Sequence, residues 1–272
     1  MTQSPDAAKT LKVLQFTDTH FFKDASGKLL GVDTSASFSE VFKTALAKHG
    51  TPDLYLLTGD LSQDETEESY RRLSQALAKA GANCYFLPGN HDRRKDMTRG
   101  LIHEDSPFCA DRQIIRGNWQ IILLDSQVEG EVGGRLEQEE LNFLKKCLQE
   151  RPDLHALVCL HHHPVPIGAR WLDTIGVANG SEFMQTLEGY DSLRAVLWGH
   201  VHQEFEGRHK KIRLMATPST CVQFKVATAD FGVDPVPPGY RWLELEPDGQ
   251  IHSAVERTDK VARGLEMSSA GY

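Results

Sequence analysis

Short apolar runs that alternate with amphipathic stretches are the feature that most constrains what this sequence can fold into. Phe38, Val41 and Ala45 fall at the spacing of one helix face, and further amphipathic stretches cover residues 64–77 and 136–149. The apolar runs of strand length are residues 11–16, 54–57, 84–87, 119–124, 156–160, 195–198, 212–216, 241–245 and 251–255. Strands covered by helices give this pattern, and we therefore predict an α/β fold.

The domain limits follow from where the pattern starts and stops. We predict a single domain over residues 11–258, a flexible N-terminal extension over residues 1–10 and a polar C-terminal tail over residues 259–272. The chain of 272 residues contains no run of about 18 apolar residues, so we predict no membrane span. Its first ten residues lack the features of a secretory signal, so we expect a cytoplasmic protein.

Charge and cysteine content exclude some functions. The formal net charge of -8 argues against a protein that binds long nucleic acids, because such proteins need a cationic face. The five cysteines are widely spread and include no C-x-x-C pair, which is typical of reduced thiols rather than of a disulfide framework or a zinc ribbon. The sequence indicates no oligomeric state.

Polar residues with metal-binding chemistry recur just after the predicted strands. They are Asp18, His20, Asp60, Asn90, His91, the run His161 to His163, His200 and His202. Because the carboxyl ends of parallel strands converge on one crevice, we expect these residues to meet there. In extended backbone, the i, i+2 pairs Asp18 with His20 and His200 with His202 would each point to one side.

Carboxylate, imidazole and amide groups together suit Fe, Mn, Zn or Co. There are more of them than one tetrahedral ion needs, so we predict two divalent ions that share a carboxylate. Each residue alone has a structural explanation, since Asp and Asn favour turns and caps and a loop histidine is often solvent-exposed. Their joint recurrence at strand ends favours the metal site.

Five ordered blocks carry a resemblance to a known family. They are D-x-H at 18–20, G-D at 59–60, G-N-H-D at 89–92, H-H-H-P at 161–164 and G-H-x-H at 199–202. This set resembles the calcineurin-like metallophosphoesterase superfamily. Within it, LLDSQ at 123–127, WLD at 171–173 and ATPSTCVQFK at 216–225 are similar to the bacterial class III cyclic nucleotide phosphodiesterases, and the resemblance runs from about Lys12 to Gly271 and Tyr272.

The resemblance implies a four-layer α-β-β-α sandwich with a dinuclear centre of iron or manganese. It implies that one ion is held by Asp18, His20 and His202, and the other by Asn90, His200 and one histidine of the triple run, with Asp60 bridging. Alignment on the prolines selects His161 from that run, whereas a His-x-Pro pattern selects His162; we prefer His161 because it follows the strand directly. The substrate contacts that it implies are His20, Asp60, Asn90, His91 and His202.

The implied activity is hydrolysis of 3′,5′-cyclic AMP to 5′-AMP by a metal-activated hydroxide. We expect His91 to contact the phosphoryl oxygens or to protonate the leaving oxygen, and Asp92 either to orient His91 or to form a local turn. Another small phosphodiester, such as a 2′,3′-cyclic nucleotide or a glycerophosphodiester, is the alternative substrate, and a metal-poor binding scaffold is the alternative class. Trp171 could form a wall for the nucleobase or pack on the domain.

Overall fold

The computed structural model describes residues 9–269 and 271. Most of the predicted N-terminal extension, residues 1–8, and the final Tyr272 lie outside the described residues. The strands are β1 (Leu11–Phe16), β2 (Lys28–Leu29), β3 (Val32–Asp33), β4 (Leu54–Thr58), β5 (Asn83–Leu87), β6 (Phe108–Cys109), β7 (Gln113–Arg116), β8 (Trp119–Leu123), β9 (His155–Cys159), β10 (Leu193–Trp198), β11 (Phe205–His209), β12 (Ile212–Ala216), β13 (Gln223–Phe224), β14 (Val233–Asp234), β15 (Gly239–Leu245) and β16 (Ile251–Arg257). The helices are α1 (Thr34–His49), α2 (Glu67–Leu77), α3 (Arg94–Leu101), α4 (Gln138–Glu150) and α5 (Gly180–Leu187), with a short 3₁₀ turn at Leu172–Thr174.

Two six-stranded sheets form the centre of the fold. The first has the order β16-β15-β1-β4-β5-β6 and the second has the order β11-β12-β10-β9-β8-β7. In each sheet the central strands are parallel: β1, β4 and β5 in the first, and β8, β9, β10 and β12 in the second. Antiparallel strands flank them, because β15 and β16 close one edge of the first sheet while β7 and β11 lie at the edges of the second.

Apolar packing assigns the layers. Alternate residues of one strand point to opposite faces of a sheet. Leu54 and Leu56 accordingly pack against Ile121 and Leu157 of the second sheet, whereas Tyr55 packs on the other face with side chains of α1 and α2. Side chains of α4 and α5 cover the outer face of the second sheet. The predicted four-layer α-β-β-α sandwich is therefore confirmed.

Helix α1 shows how local chemistry sets the limits of an element. The Asp33 carboxylate accepts a hydrogen bond from the Ala36 N–H at 2.9 Å, which satisfies a donor of the first turn. At the other end, the Gly50 N–H donates to the Leu46 carbonyl at 2.9 Å. The helix predicted around Phe38 and Val41 thus begins and ends at residues with suitable caps.

The segment after β16 has no helix or strand among its described residues, but it contacts the domain. Ala262 and Leu265 pack against an apolar cluster that contains Leu29 and Phe224, and the Glu266 N–H donates to the Leu30 carbonyl at 2.9 Å. Within the part of the chain that the structure describes, none of the helices has the length and apolar character needed to cross a membrane.

Candidate metal centre

The carboxyl ends of the central strands of both sheets bring the candidate residues together. Asp18 and His20 follow β1, Asp60 follows β4, Asn90 and His91 follow β5, His161 follows β9, and His200 and His202 follow β10. The ligating atoms of three overlapping groups lie within 4.8 Å of one another: Asp18 with His20 and His202; Asp18 with Asp60 and His161; and His161 with His162 and His200. Because the groups share members, they form one continuous buried site that can bind metal ions.

Close approaches between ligating atoms indicate where a cation would be stabilised. The Nε2 atoms of His20 and His202 lie 3.2 Å apart, and His202 Nε2 lies 3.2 Å from Oδ1 of Asp18. The Asp18 carboxylate also accepts from the His200 N–H at 3.1 Å. All four residues are at least 95 % buried, so bulk water does not screen these groups from one another. A cation that accepts lone pairs from both imidazoles and from the carboxylate fits this arrangement.

Backbone carbonyls orient two of the candidate histidines. Nδ1 of His161 lies 2.8 Å from the Thr58 carbonyl, and Nδ1 of His202 lies 2.7 Å from the Val222 carbonyl. A carbonyl can only accept a hydrogen bond, so Nδ1 carries a hydrogen in both rings and Nε2 is the nitrogen that is left to bind a metal. The Phe224 ring stacks on His202 at 4.2 Å and holds its plane.

His162 is engaged differently from His161. Its Nε2 lies 3.2 Å from the Val132 carbonyl and its Nδ1 lies 2.8 Å from the Ser126 hydroxyl. Both nitrogens of the His162 ring therefore already have protein partners. Nε2 of His161, in contrast, has no hydrogen-bond partner among the described residues and lies 3.2 Å from Oδ2 of Asp60. These contacts support the choice of His161 as the ligand.

Buried polar atoms without partners test whether a metal fits the site. Within the described chain, Nε2 of His161, Nε2 of His200 and Oδ1 of Asn90 have no hydrogen-bond partner although solvent does not reach them. An unsatisfied buried polar atom is costly, and each such atom in a native protein needs an explanation. All three atoms can give a lone pair to a metal ion, and imidazole nitrogen and amide oxygen are ligand types that iron, manganese and zinc accept. The residues therefore fit a metal centre.

Buried carboxylates and imidazoles of the site shift one another's pKa values. Burial alone would raise the pKa of Asp60, but the His161 and His91 imidazoles hold it well below its usual range. Burial lowers the pKa of His161, whereas Asp60 more than offsets this and raises it to about 9. For His20, burial dominates and lowers the pKa to about 3, and the pKa of His200 is also held well below its usual range. His20, His200 and the Asp60 carboxylate are thus in the protonation states that metal ligands require, whereas His161 must release a proton to bind a metal.

The backbone of the site is strained, and this corrects one prediction from the sequence. The i, i+2 pairs are not extended: φ is 52° at Asp18, 46° at His20, 66° at His200 and 47° at His202. Of the three groups of ligating atoms, His200 belongs to the one with His161 and His162, whereas His202 belongs to the one with Asp18 and His20. The pair His200 and His202 is therefore divided between two groups. An extended residue would have continued the direction of the strand beyond the crevice, whereas a residue in the left-handed conformation turns the chain back toward the crevice.

The loop after β5 is held by residues that spacing alone does not reveal. The Asp92 carboxylate accepts from the Gly89 N–H at 2.9 Å, from the Leu61 N–H at 3.1 Å and from the Tyr70 hydroxyl at 3.0 Å, which favours the turn role over orientation of His91. Nε2 of Gln127 donates to the Gly89 carbonyl at 2.7 Å. Ser126, which contacts His162, and Gln127, which contacts Gly89, both belong to the LLDSQ block. That block is the sequence signal from which these two contacts could have been found.

His91 lies beside the centre and is less buried than most of the proposed ligands. Its backbone N–H donates to Oδ1 of Asp60 at 2.8 Å, and the centroid of its ring lies 5.3 Å from that of the His20 ring. The side chain is only half-buried, unlike those of Asp60 and His20. Trp171, in contrast, packs edge-on against Phe224 at 5.4 Å and Phe231 at 5.2 Å, as the packing interpretation requires.

Comparison with known proteins places the chain in a family. Residues 11–204 match the model of the calcineurin-like phosphoesterases. The chain is 38 % identical over 271 residues to the 3′,5′-cyclic adenosine monophosphate phosphodiesterase CpdA of Pseudomonas aeruginosa, covering 100 % of this chain and 98 % of that protein. It is 40 % identical to the protein of the same name from Vibrio vulnificus, covering 97 % and 96 %. A dimetal phosphatase from Danio rerio shares the fold, with a TM-score of 0.63 at 12 % identity over 92 % of this chain and 99 % of that one. The chain therefore belongs to the calcineurin-like phosphoesterase family.

Proposed function

We propose that this protein hydrolyses 3′,5′-cyclic AMP to 5′-AMP at a centre of two divalent metal ions. The observation that carries the proposal is the similarity, over nearly the full length of both chains, to phosphodiesterases named for this substrate. The buried groups described above supply the chemistry that such a reaction needs, and fold alone would not identify the substrate.

We assign the ligands from the contacts of each residue. Asp18, His20 and His202 hold one ion, and Asn90, His161 and His200 hold the other. We propose that Asp60 bridges the two ions, because its carboxylate lies within 4.8 Å of ligating atoms of both Asp18, a ligand of the first ion, and His161, a ligand of the second. Mixed nitrogen and oxygen donors suit iron(II) and manganese(II), which are the ions we propose.

When bound, divalent ions supply Lewis acidity to a phosphoryl group and acidify water. The protein's own contribution is to place the substrate. We propose that the phosphodiester contacts the face formed by His20, Asp60, Asn90, His91 and His202. In hydrolysis a bond forms between the water oxygen and phosphorus, the bond from phosphorus to the 3′ oxygen breaks, and a proton passes to that oxygen. His91 is half-buried and its ring lies 5.3 Å from the His20 ring, and we propose that it delivers this proton.

Side-by-side kinetics test the substrate. The purified protein, loaded with iron(II) or manganese(II), is assayed on cyclic AMP, cyclic GMP, 2′,3′-cyclic AMP, glycerophosphocholine and bis(p-nitrophenyl) phosphate. We expect the highest kcat/KM on cyclic AMP. Negligible turnover of cyclic AMP, with good turnover of a 2′,3′-cyclic nucleotide or a glycerophosphodiester, would replace this proposal by the alternative substrate.

Replacement of His91 tests the proton-delivery step. His91→Ala should keep both metals and lose at least about 100-fold in kcat, in the range expected for removal of a general acid. The exposed His252 on edge strand β16 provides the matched control, and His252→Ala should leave both metal content and kcat unchanged. An unchanged rate in metal-replete His91→Ala would remove His91 from the mechanism.

The remaining properties follow from charge and thiol chemistry. The net charge of -8 supports a small nucleotide captured at the metals rather than a long nucleic acid bound on a basic surface. All five cysteines are free, four of them buried, which supports a reducing compartment such as the cytoplasm.

A further inference from the structure

The LLDSQ block at residues 123–127 is a sequence motif to which the proposed chemistry gives no role. It begins at the last residue of β8 and continues beyond the strand. Because β8 runs parallel to β9, which precedes His161, the end of the block emerges at the edge where the candidate ligands meet. The side chain of Gln127, its last residue, bonds to the loop after β5 and so joins the two sheets at the metal centre.

The loop that Gln127 contacts is a tight turn that carries Asn90. The Asp92 N–H donates to the Gly89 carbonyl at 3.2 Å, which closes a turn over residues 89–92 with Asn90 and His91 at its central positions. Nε2 of Gln127 donates to the Gly89 carbonyl at 2.7 Å and also to the Asp92 carbonyl. A side-chain amide has two N–H donors, so one residue bonds to the carbonyls at both ends of the turn.

Gln127 is itself held by an ion pair. The Asp125 carboxylate accepts from the Gln127 backbone N–H at 2.9 Å, and Arg94 donates to both oxygens of that carboxylate, from Nη2 at 3.0 Å and from Nε at 2.5 Å. Nη2 of Arg94 also donates to the Gln127 carbonyl at 2.8 Å. A bidentate pair of guanidinium and carboxylate has a defined geometry, so it fixes the backbone on both sides of the Gln127 side chain.

The position of the turn matters for the second ion. Of the three residues assigned to this ion, Asn90 alone comes from the first sheet, whereas His161 and His200 follow strands of the second. Oδ1 of Asn90 is buried and has no hydrogen-bond partner among the described residues. The position of this oxygen therefore depends on the turn that carries it.

Given the proposed function, on which this inference rests, we propose that Gln127 is a positioning residue for the second ion and that it acts through the turn at residues 89–92. A turn that is free to change shape places Asn90 correctly for only part of the time, and the apparent affinity for the ion falls by that fraction. The first ion is assigned to residues that follow β1 and β10, so its affinity should not change.

Gln127→Met tests the inference, because methionine has a similar length and no N–H to donate. In calorimetric titration of the metal-free protein with manganese(II), the second ion should bind at least about tenfold more weakly than in the wild type, and the first ion should bind as in the wild type. His161→Ala removes a ligand of the second ion and so identifies the affinity that belongs to the first. Hydrogen exchange in metal-free Gln127→Met should become faster at residues 89–92 than in the wild type.

Gln138→Met is the matched control, since it makes the same change on the exposed face of α4, where Gln138 bonds to Asn142. It should keep both wild-type affinities and wild-type exchange. Wild-type affinity for the second ion in Gln127→Met overturns the inference, and so does an equal loss for both ions, which indicates a general loss of structure. Should Gln127→Met fail to fold, Gln127→Glu, which has the same shape and no side-chain N–H when ionised, decides by the same two affinities.

These measurements need no substrate, so they separate this inference from the proposed function. If the wild type hydrolyses cyclic AMP and Gln127→Met binds the second ion like the wild type, the role of Gln127 is wrong and the proposed function stands. If the wild type does not hydrolyse cyclic AMP but Gln127→Met loses affinity for the second ion alone, the proposed substrate is wrong and the role of Gln127 stands. If the wild type binds fewer than two ions, the proposed centre is wrong, and so is a role of Gln127 in holding a second ion.

Discussion

Gly199 packs against residues of the first sheet at the metal centre, and its replacement by alanine tests that packing. A Cβ atom at this position would lie 2.0 Å from Oγ1 of Thr17, 2.7 Å from Oδ2 of Asp18 and 3.1 Å from the Thr58 carbonyl. Thr17 and Asp18 are fully buried and cannot move into solvent. The backbone of Gly199 is not left-handed, so the effect of Gly199→Ala measures space rather than conformation.

The expected loss of stability has two contributions. Overpacking of a buried position costs about 1–3 kcal/mol. Displacement of Thr17 also breaks the hydrogen bond from its hydroxyl to the Thr58 carbonyl, which contributes about 1 kcal/mol. We therefore expect Gly199→Ala to lower the free energy of unfolding by about 2–4 kcal/mol. At about 2 °C per kcal/mol for a chain of this size, Tm falls by about 4–8 °C.

Calorimetry of the metal-free protein measures this loss without a contribution from metal binding. Metal analysis should also show fewer bound ions, because the clash moves Asp18. Gly189→Ala is the matched control, since its backbone is not left-handed and its Cβ would meet only the Thr186 carbonyl, at 3.8 Å. Thr17→Ala, which removes the closest atom, should restore part of the Tm in the double variant. A Gly199→Ala protein with wild-type Tm and metal content would refute the packing argument.

Three further predictions concern the histidine run. His161→Ala should reduce the metal content from two ions to one and abolish turnover, whereas His162→Gln should keep both ions, as metal analysis of each variant will show; loss of an ion in His162→Gln alone would reverse the assignment. Since Asp60 raises the pKa of His161 to about 9, this ring holds a proton at pH 7.5 that a metal must displace. Calorimetry of metal binding in buffers of different ionisation enthalpy should therefore detect the release of about one proton from this ring. Equal heats of binding in all buffers would contradict this. Burial lowers the pKa of His163 to about 4 in the folded state, so the unfolded state binds more protons below pH 6.5 and acid destabilises the fold. Between pH 7.5 and pH 5.5, denaturant unfolding of the metal-free proteins should show that the free energy of unfolding falls by about 1.4 kcal/mol more in the wild type than in His163→Phe. Equal falls in the two proteins would count against a buried neutral ring.

Much of the fold follows from the apolar runs of the sequence, because the central strands are buried on both faces and therefore read as short continuous apolar segments. Residues 212–216 were predicted as a strand and form β12, and the predicted runs at 54–57 and 84–87 form β4 and β5 with one residue added to each. The short pairs β2 with β3 and β13 with β14 have two residues per strand, which is too short for a period-2 pattern to emerge. Periodicity also cannot assign strands to sheets, so the division into two sheets came from the resemblance.

The candidate residues were identifiable because each stands directly after an apolar run, but their orientation was not. The hydrogen bonds of His161 and His202 go to carbonyls of Thr58 and Val222. Every residue has a carbonyl, and such partners therefore leave no trace in the side-chain sequence. The cavity of about 460 Å³ between residues 131–135 and residues 163–181 was likewise out of reach, since these two segments are adjacent only after folding.

The left-handed backbone of the centre also bears on how such a protein would evolve if its activity were lost. Nine non-glycine residues in the described part of the chain have positive φ, and five of them are proposed ligands: Asp18, His20, Asp60, His200 and His202. Each such conformation costs about 1 kcal/mol, which glycine would recover. Once selection for catalysis ceased, nothing in the backbone conformation would favour carboxylates and imidazoles over glycine or asparagine at these five positions. The five side chains therefore hold an unfavourable backbone conformation that their proposed role as ligands, and not the stability of the fold, accounts for.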